Sequence, residues 1–217
     1  MHKRTKIFIS ALLTVFMFLL AGCRSMDSSG NGNNDGKDNG TDQKVIFAGE
    51  DEKEKEKEEE EKSHSELLYS IKDSAQNGKI INCEYEIKYG MFDIEQSWGK
   101  PDSEAYVEDA KGTYSDYKDR KVTFGWNKGL QIFEVRSFDD RLKEISYKEL
   151  SDYFGKPDYN NDYNNEIITG YVVNDELKLL FVFDNNKDEK ERKLDHYSVF
   201  YPSGTVNSMK ADAGRQW

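Results

Sequence analysis

Apolar and polar positions change period several times along the 217 residues, and the changes come twice in the same order. Leu150 and Phe154 lie four apart on one helical face. Ser146 with Glu149 forms a capping-box pattern, and Ile145 with Leu150 the hydrophobic staple around it. The predicted helix stops at Phe154-Gly155-Lys156-Pro157-Asp158, where glycine supplies a left-handed cap and proline blocks continuation. Fifty-six residues earlier, Ile94 and Trp98 take the same face, and Tyr89, Gly90 and Asp93 take the staple, cap and box places. That helix stops at Trp98-Gly99-Lys100-Pro101-Asp102, so two of the three prolines serve one motif.

Alternating, β-branched and aromatic runs follow each stop. They are Thr113 to Tyr117, Lys121 to Trp126 and Gln131 to Phe138, then Glu166 to Val173, Leu177 to Phe183 and Asp195 to Tyr201. The third strands are aligned by matching Phe133 and Val135 with Tyr197 and Val199. A further helix, capped by Ser63 with Glu66 and carrying Leu67, Leu68 and Ile71, ends near Gly78. The predicted fold is α+β: two tandem helix-plus-antiparallel-meander repeats (about 79–138 and 139–202) form one sheet with helices packed on one face. The folded domain covers 63–217.

Upstream the pattern is different. His2, Lys3, Arg4 and Lys6 precede the largely apolar run Ile7 to Leu20, which is shorter than the roughly 20 residues a membrane span needs. Leu20-Ala21-Gly22-Cys23 then resembles the lipobox of bacterial lipoproteins. The resemblance implies that residues 1–22 are a signal peptide, that Cys23 receives a diacylglyceryl group, and that the chain is anchored at the extracytoplasmic face of the cell membrane. Residues 23–62 form a disordered charged tether: 24–44 are mostly Ser, Asn, Gly, Asp and Lys, and 50–62 are almost entirely Glu and Lys. The second stretch is either a solvated helix or an expanded coil.

Composition narrows the partners. The net charge is −11, or −14 without Lys3, Arg4 and Lys6, which argues against nucleic acid. With Cys23 lipidated, Cys83 is the one remaining thiol, so no intramolecular disulfide forms, and Cys83 reads as a small buried side chain.

The order of Trp98-Gly99-Lys100-Pro101-Asp102, Val122-Thr123-Phe124-Gly125-Trp126, Ile132 to Phe138 and Asp195 to Pro202 resembles the YjgB-like family of uncharacterised Bacillus-type lipoproteins. The likeness covers about 64–210 and implies location and fold but no reaction. More distantly, the helix-then-meander plan is similar to the beta-lactamase inhibitor protein and the BamE-type assembly lipoproteins, which implies protein binding by a sheet face.

Catalytic signatures are missing from the sequence: it has no Gly-x-Ser-x-Gly elbow, zinc-binding His pair, Cys-x-x-Cys or phosphate loop. His196 follows Asp195 in a strand, where neighbouring side chains point to opposite faces and the aspartate does not orient the ring. Asp158, Asn160, Asp162 and Asn164, and Asp184, Asn186 and Asp188, have calcium-like spacing, but both sets lack the sixth-position glycine and read as Asn/Asp-rich turns. No cofactor or metal is expected. Tyr106, Tyr114, Tyr117, Tyr159, Tyr163 and Tyr171 either pack the sheet or supply a binding surface.

The sequence therefore predicts a non-catalytic lipoprotein that binds an extracytoplasmic protein or wall component. The alternative is a cell-wall or glycan-processing enzyme using acidic residues. Thr123, Gly125, His196 and Ser198 alternate away from their apolar neighbours and mark the open side of the sheet as the candidate binding face.

Overall fold

The computed structural model describes residues 48–163, 165–185, 188 and 192–209. The expected signal segment, Cys23 and residues 24–47 lie outside them. Helix α1 (Ala48–Gln76) leads into α2 (Met91–Trp98), strands β1 (Ser103–Val107), β2 (Gly112–Tyr117), β3 (Val122–Trp126) and β4 (Ile132–Ser137). Helix α3 (Tyr147–Phe154) leads into β5 (Tyr159–Tyr163), β6 (Glu166–Val172), β7 (Lys178–Asp184) and β8 (Leu194–Phe200). All eight strands form one antiparallel sheet in the order β1-β2-β3-β4-β8-β7-β6-β5.

Helix α1 takes the solvated-helix alternative for the Glu/Lys segment. It runs unbroken through the Glu/Lys segment, and Ser63 lies inside it, not at its cap. Glutamate and lysine are good helix formers, and the pairs Lys57–Glu61 and Lys62–Glu66 add a few tenths of a kcal/mol each. Buried Leu67, Leu68, Ile71 and Ala75 anchor its C-terminal turns. His64 Nδ1 lies 2.7 Å from Glu149 Oε1 and joins α1 to the start of α3. The other oxygen of Glu149 accepts from the Ser146 backbone N–H, completing the expected capping box.

Strands β1 and β5 were not predicted. They hold Ser, Glu, Asn and Asp, and they lie at the two edges of the sheet, where polar strands discourage further pairing. The calcium-like alternation Asp158 to Asp162 is thus largely the pleat of an edge strand. Asp158 accepts from the Val172 N–H, Thr169 donates to Asn160, and Asn185 donates to Asp162. Asn164 and Asn186 lie outside the described residues.

The joints after α2 and α3 match contact for contact. Tyr117 donates to the Gly99 carbonyl at 3.0 Å, and Tyr171 donates to the Gly155 carbonyl at 3.1 Å. Asp102 accepts from the Lys118 N–H as Asp158 accepts from Val172. Trp98, Tyr117 and Phe124 pack with centroids 5.3 to 5.9 Å apart, and Phe154, Tyr171 and Phe181 with centroids 5.0 to 6.0 Å apart. Burial pushes both phenols up to about 12, so both stay protonated as donors. Val135 pairs with Phe124 as Tyr197 pairs with Phe181. Val135 therefore corresponds to Tyr197, two residues from the expected alignment; an even slip leaves the sheet faces unchanged.

The main core lies between the helices and one sheet face, where Phe124, Val135, Phe181, Tyr197 and Val199 meet Ile71, Ile94 and Leu150. Cys83 is buried there, and burial pushes its thiol up to about 12. A second apolar cluster, including Tyr114, Phe133, Leu180, Val182 and Phe200, occupies the opposite face. Among the described residues no helix is long and apolar enough to cross a membrane.

Gly99 and Gly155 have φ of 86° and 77° with ψ of −173° and −155°. This differs from the predicted left-handed cap: it is a region essentially reserved for glycine. A Cβ at either position meets nothing within 4 Å, so the cost of substitution is conformational alone. Gly99→Ala and Gly155→Ala should each lower stability by about 1–3 kcal/mol in urea unfolding. A loss below about 0.5 kcal/mol would show that the joint tolerates another backbone path.

Candidate functional site

The face opposite the helices is built by register. Ser103, Asp116, Thr123, Arg136, Ser198, Leu180, Gly170 and Tyr159 form one row across the strands. Gly125 and Glu134 stand in the next row with Tyr114. The joints pair Asp116 with Gly170, and the pairings across β3 and β7 then match Thr123 with Leu180 and Arg136 with Ser198. The first half of the face is polar, while the second half is apolar at most of the same places.

A β-bulge in each half re-aims side chains. Gly125 pairs with Glu134 and Trp126 with Ile132, leaving Phe133 as the extra residue. Val182 pairs with His196 and Phe183 with Leu194, leaving Asp195 as the extra residue. The second bulge overturns the expectation that Asp195 and His196 point apart, because His196 Nδ1 lies 2.8 Å from Asp195 Oδ2. The His196 ring stacks on Phe138 with centroids 4.8 Å apart. Burial, with the nearby Arg136 charge, lowers its pKa and keeps it neutral despite the Asp195 hydrogen bond.

At the centre, Arg136 grips Glu134 with Nε to Oε1 at 2.9 Å and Nη2 to Oε2 at 3.1 Å. Tyr114 also donates to Glu134 at 2.7 Å, and the guanidinium lies 4.5 Å from the centre of its ring. Glu134 is fully buried. Burial opposes the Arg136 charge, but the Glu134 carboxylate outweighs it and holds the guanidinium above its ordinary pKa. Thr123 and Ser103 both donate to Asp116, at 2.7 and 2.6 Å.

Above this cluster is a cleft of about 360 Å³, near the lower end of the range for small-ligand sites. Its floor includes Tyr114, Asp116, Thr123 and Arg136, and Phe138 forms part of its wall. Val107 and Asp109 enter from the β1–β2 turn, and Tyr163 and Glu166 from the β5–β6 turn. Residues from both sheet edges line one cleft, so the face is concave. A groove of about 660 Å³ beside α1 and α3 is lined by His64, Leu68, Glu149 and Tyr153, whose buried contacts serve helix docking and capping.

Thr123, Gly125, His196 and Ser198 do share this face, but none is the exposed marker the alternation suggested. Thr123 and His196 are 7% exposed and Ser198 is 2% exposed. Gly125 is covered by the Tyr114 and Phe133 rings, which approach a Cβ there to 2.8 and 3.0 Å. Neighbouring side chains on the same face cover them, Tyr114 and Phe133 over Gly125 and Phe138 over His196, and strand alternation alone does not reveal this. The reading missed Glu134 and Arg136, although two charges in the apolar run Ile132 to Phe138 were a visible signal. Of the six tyrosines, Tyr114, Tyr117 and Tyr171 are buried, while Tyr106 is half exposed on edge strand β1.

The profile of a domain of unknown function, DUF4309, matches residues 68–200. Among solved structures, the chain is similar to a DUF4309 family protein, YjgB, from Bacillus subtilis subsp. subtilis str. 168. The identity is 19%, the match covers 63% of this chain and 97% of that chain, and the TM-score is 0.50. At that identity the likeness concerns the fold. No curated protein matches the chain.

Breaking a buried ion pair costs about 3–5 kcal/mol, whereas replacing both partners by packed apolar groups is often close to neutral. Glu134→Gln and Arg136→Met should therefore each destabilise more than the double variant Glu134→Leu/Arg136→Met, measured by urea unfolding. Additive losses in the double variant would mean that the two charges stabilise the fold independently.

Proposed function

The chain belongs to the DUF4309 family of unknown function, and on that premise we propose that it is a lipid-anchored extracytoplasmic protein. Its folded domain is a non-catalytic module that binds a partner protein or wall component through the concave face of its sheet. The anchor is Cys23 in Leu20-Ala21-Gly22-Cys23, preceded by a basic and then an apolar segment. Two acyl chains on one cysteine hold a protein stably where one does so marginally.

The observation that carries the binding role is the cleft over the Glu134–Arg136 pair. A buried charge pair is a poor source of stability, and the matching row of the other half has Gly170 and Leu180 where this half has Asp116 and Thr123. A polar, aromatic-walled concavity that the packing does not require is the chemistry of recognition. Asp195 and His196 support a structural role, because the ring is neutral, stacked on Phe138 and closed over a bulge.

Two measurements test the two parts. Cys23→Ala should abolish incorporation of labelled fatty acid, and retained labelling in that variant would refute the anchor. For the binding face, a photo-crosslinking residue at Val107 or Tyr163, on the cleft wall, should give a discrete adduct on intact cells. The same residue at Tyr69, exposed on α1, should not. Adducts from Tyr69 with none from the cleft wall would move recognition to the helical side.

A further inference from the structure

Resting on the reading of the concave face as the binding surface, we propose that the cleft is one lobe of a longer groove that binds a neutral glycan strand. A second cavity, of about 270 Å³, is lined by Tyr117, Lys118, Lys121 and Val122 and shares Asp116, Thr123 and Phe138 with the cleft. The two lobes therefore meet over those three side chains. Each is small for a ligand site, so the pair suits a chain of small rings rather than one large body.

Phe138 stands at the junction. The His196 imidazole stacks on its ring with centroids 4.8 Å apart and holds it in place, while Tyr114 and Tyr163 add aromatic surface in the cleft. The C–H face of a pyranose packs on such rings, and its hydroxyls both donate and accept. The floor answers both needs. The Ser103 and Thr123 hydroxyls orient Asp116 by taking one acceptor place on each carboxylate oxygen, and about two more places remain. Arg136 spends Nε and Nη2 on Glu134, which leaves guanidinium N–H donors over.

Other ligand classes fit less well. Asp109, Asp116 and Glu166 line the groove together with Lys118, Lys121 and Arg136. Asp109 faces the Lys111 charge and Lys121 pairs with Asp140, so charge singles out neither an anion nor a cation. An apolar ligand would strip water from Asp116 and Arg136 without replacing their hydrogen bonds. An extended peptide adds to a sheet edge, but the row Asp116, Thr123 and Arg136 crosses β2, β3 and β4, whose backbone bonds are made within the sheet. Across the sheet the places of Asp116 and Thr123 are taken by Gly170 and Leu180, so the fold itself does not require this polar floor.

The test titrates the full chain calorimetrically with neutral tetramers: β-1,4-linked glucose, β-1,4-linked N-acetylglucosamine and α-1,4-linked glucose. Tetragalacturonate and tetra-alanine are the charged and peptide controls, each used up to about 10 mM. At least one neutral tetramer should bind, about tenfold more tightly than its own disaccharide, which fills a single lobe. Phe138→Leu, which keeps apolar bulk and removes the ring, and Asp116→Asn should each weaken binding about three- to tenfold. Tyr163→Leu repeats the ring deletion at a half-buried wall position, away from the His196 stack. Tyr69→Leu, on exposed α1, should change binding less than twofold.

The inference is overturned if no neutral tetramer binds, if tetragalacturonate or tetra-alanine binds more tightly than all of them, or if Tyr69→Leu weakens binding equally. A tetramer that binds no better than its disaccharide confines recognition to one lobe and overturns the groove. Cleft-wall adducts without glycan binding would remove the glycan and leave the binding face standing; loss of the adducts as well would remove both.

Discussion

A tyrosine hydroxyl on a glycine carbonyl at the end of a helix, made twice, holds this fold together. Gly99 and Gly155 turn the chain out of α2 and α3 with a backbone other residues rarely adopt. Their carbonyls accept from Tyr117 and Tyr171. Each tyrosine ring packs edge-on or tilted against the last residue of the helix and against a phenylalanine of the next strand. One ring thus fixes helix end, strand and core together. The proline ends the helix, and the aspartate after it accepts the N–H at the far end of the second strand of each meander. The repeated pentapeptide is structural throughout, and function has to be sought elsewhere.

Where the signals are local, the sequence is explicit. Cap, box, staple, apolar face and stop all fall within 145–158, and α3 forms there with its capping box. Information that depends on distant residues is harder to read. Edge strands β1 and β5 carry no apolar alternation because neither fully buries a face: β1 is exposed throughout and β5 is at most half-buried. Helix α1 extends through a segment whose composition suits coil as well as helix. The bulge at Asp195 is a single extra residue, yet it turns an excluded aspartate–histidine contact into a formed one.

The site was legible in direction but not in depth. Alternation put Thr123, Gly125, His196 and Ser198 on the side away from the helices, where they are. It could not show that two hairpin ends rise over that side and that aromatic rings cover Gly125. Nor could it reveal the Glu134–Arg136 pair as a centre, because a charge in a strand ordinarily means a solvated face. Glu134 is instead fully buried.

The two halves of the sheet act as controls for each other. They share joints, bulges and strand order, so physical demands of the fold should act on both alike. Where they part, in Asp116 against Gly170 and Thr123 against Leu180, folding alone gives no reason for the costlier choice. The apolar half shows that this backbone packs without buried charge, whereas the polar half accepts the desolvation of Glu134 and Arg136. The difference is concentrated beneath one cleft and faces its opening. A requirement of the core alone would have left the same mark on both halves, and this asymmetry is the physical support for the binding role proposed for the cleft.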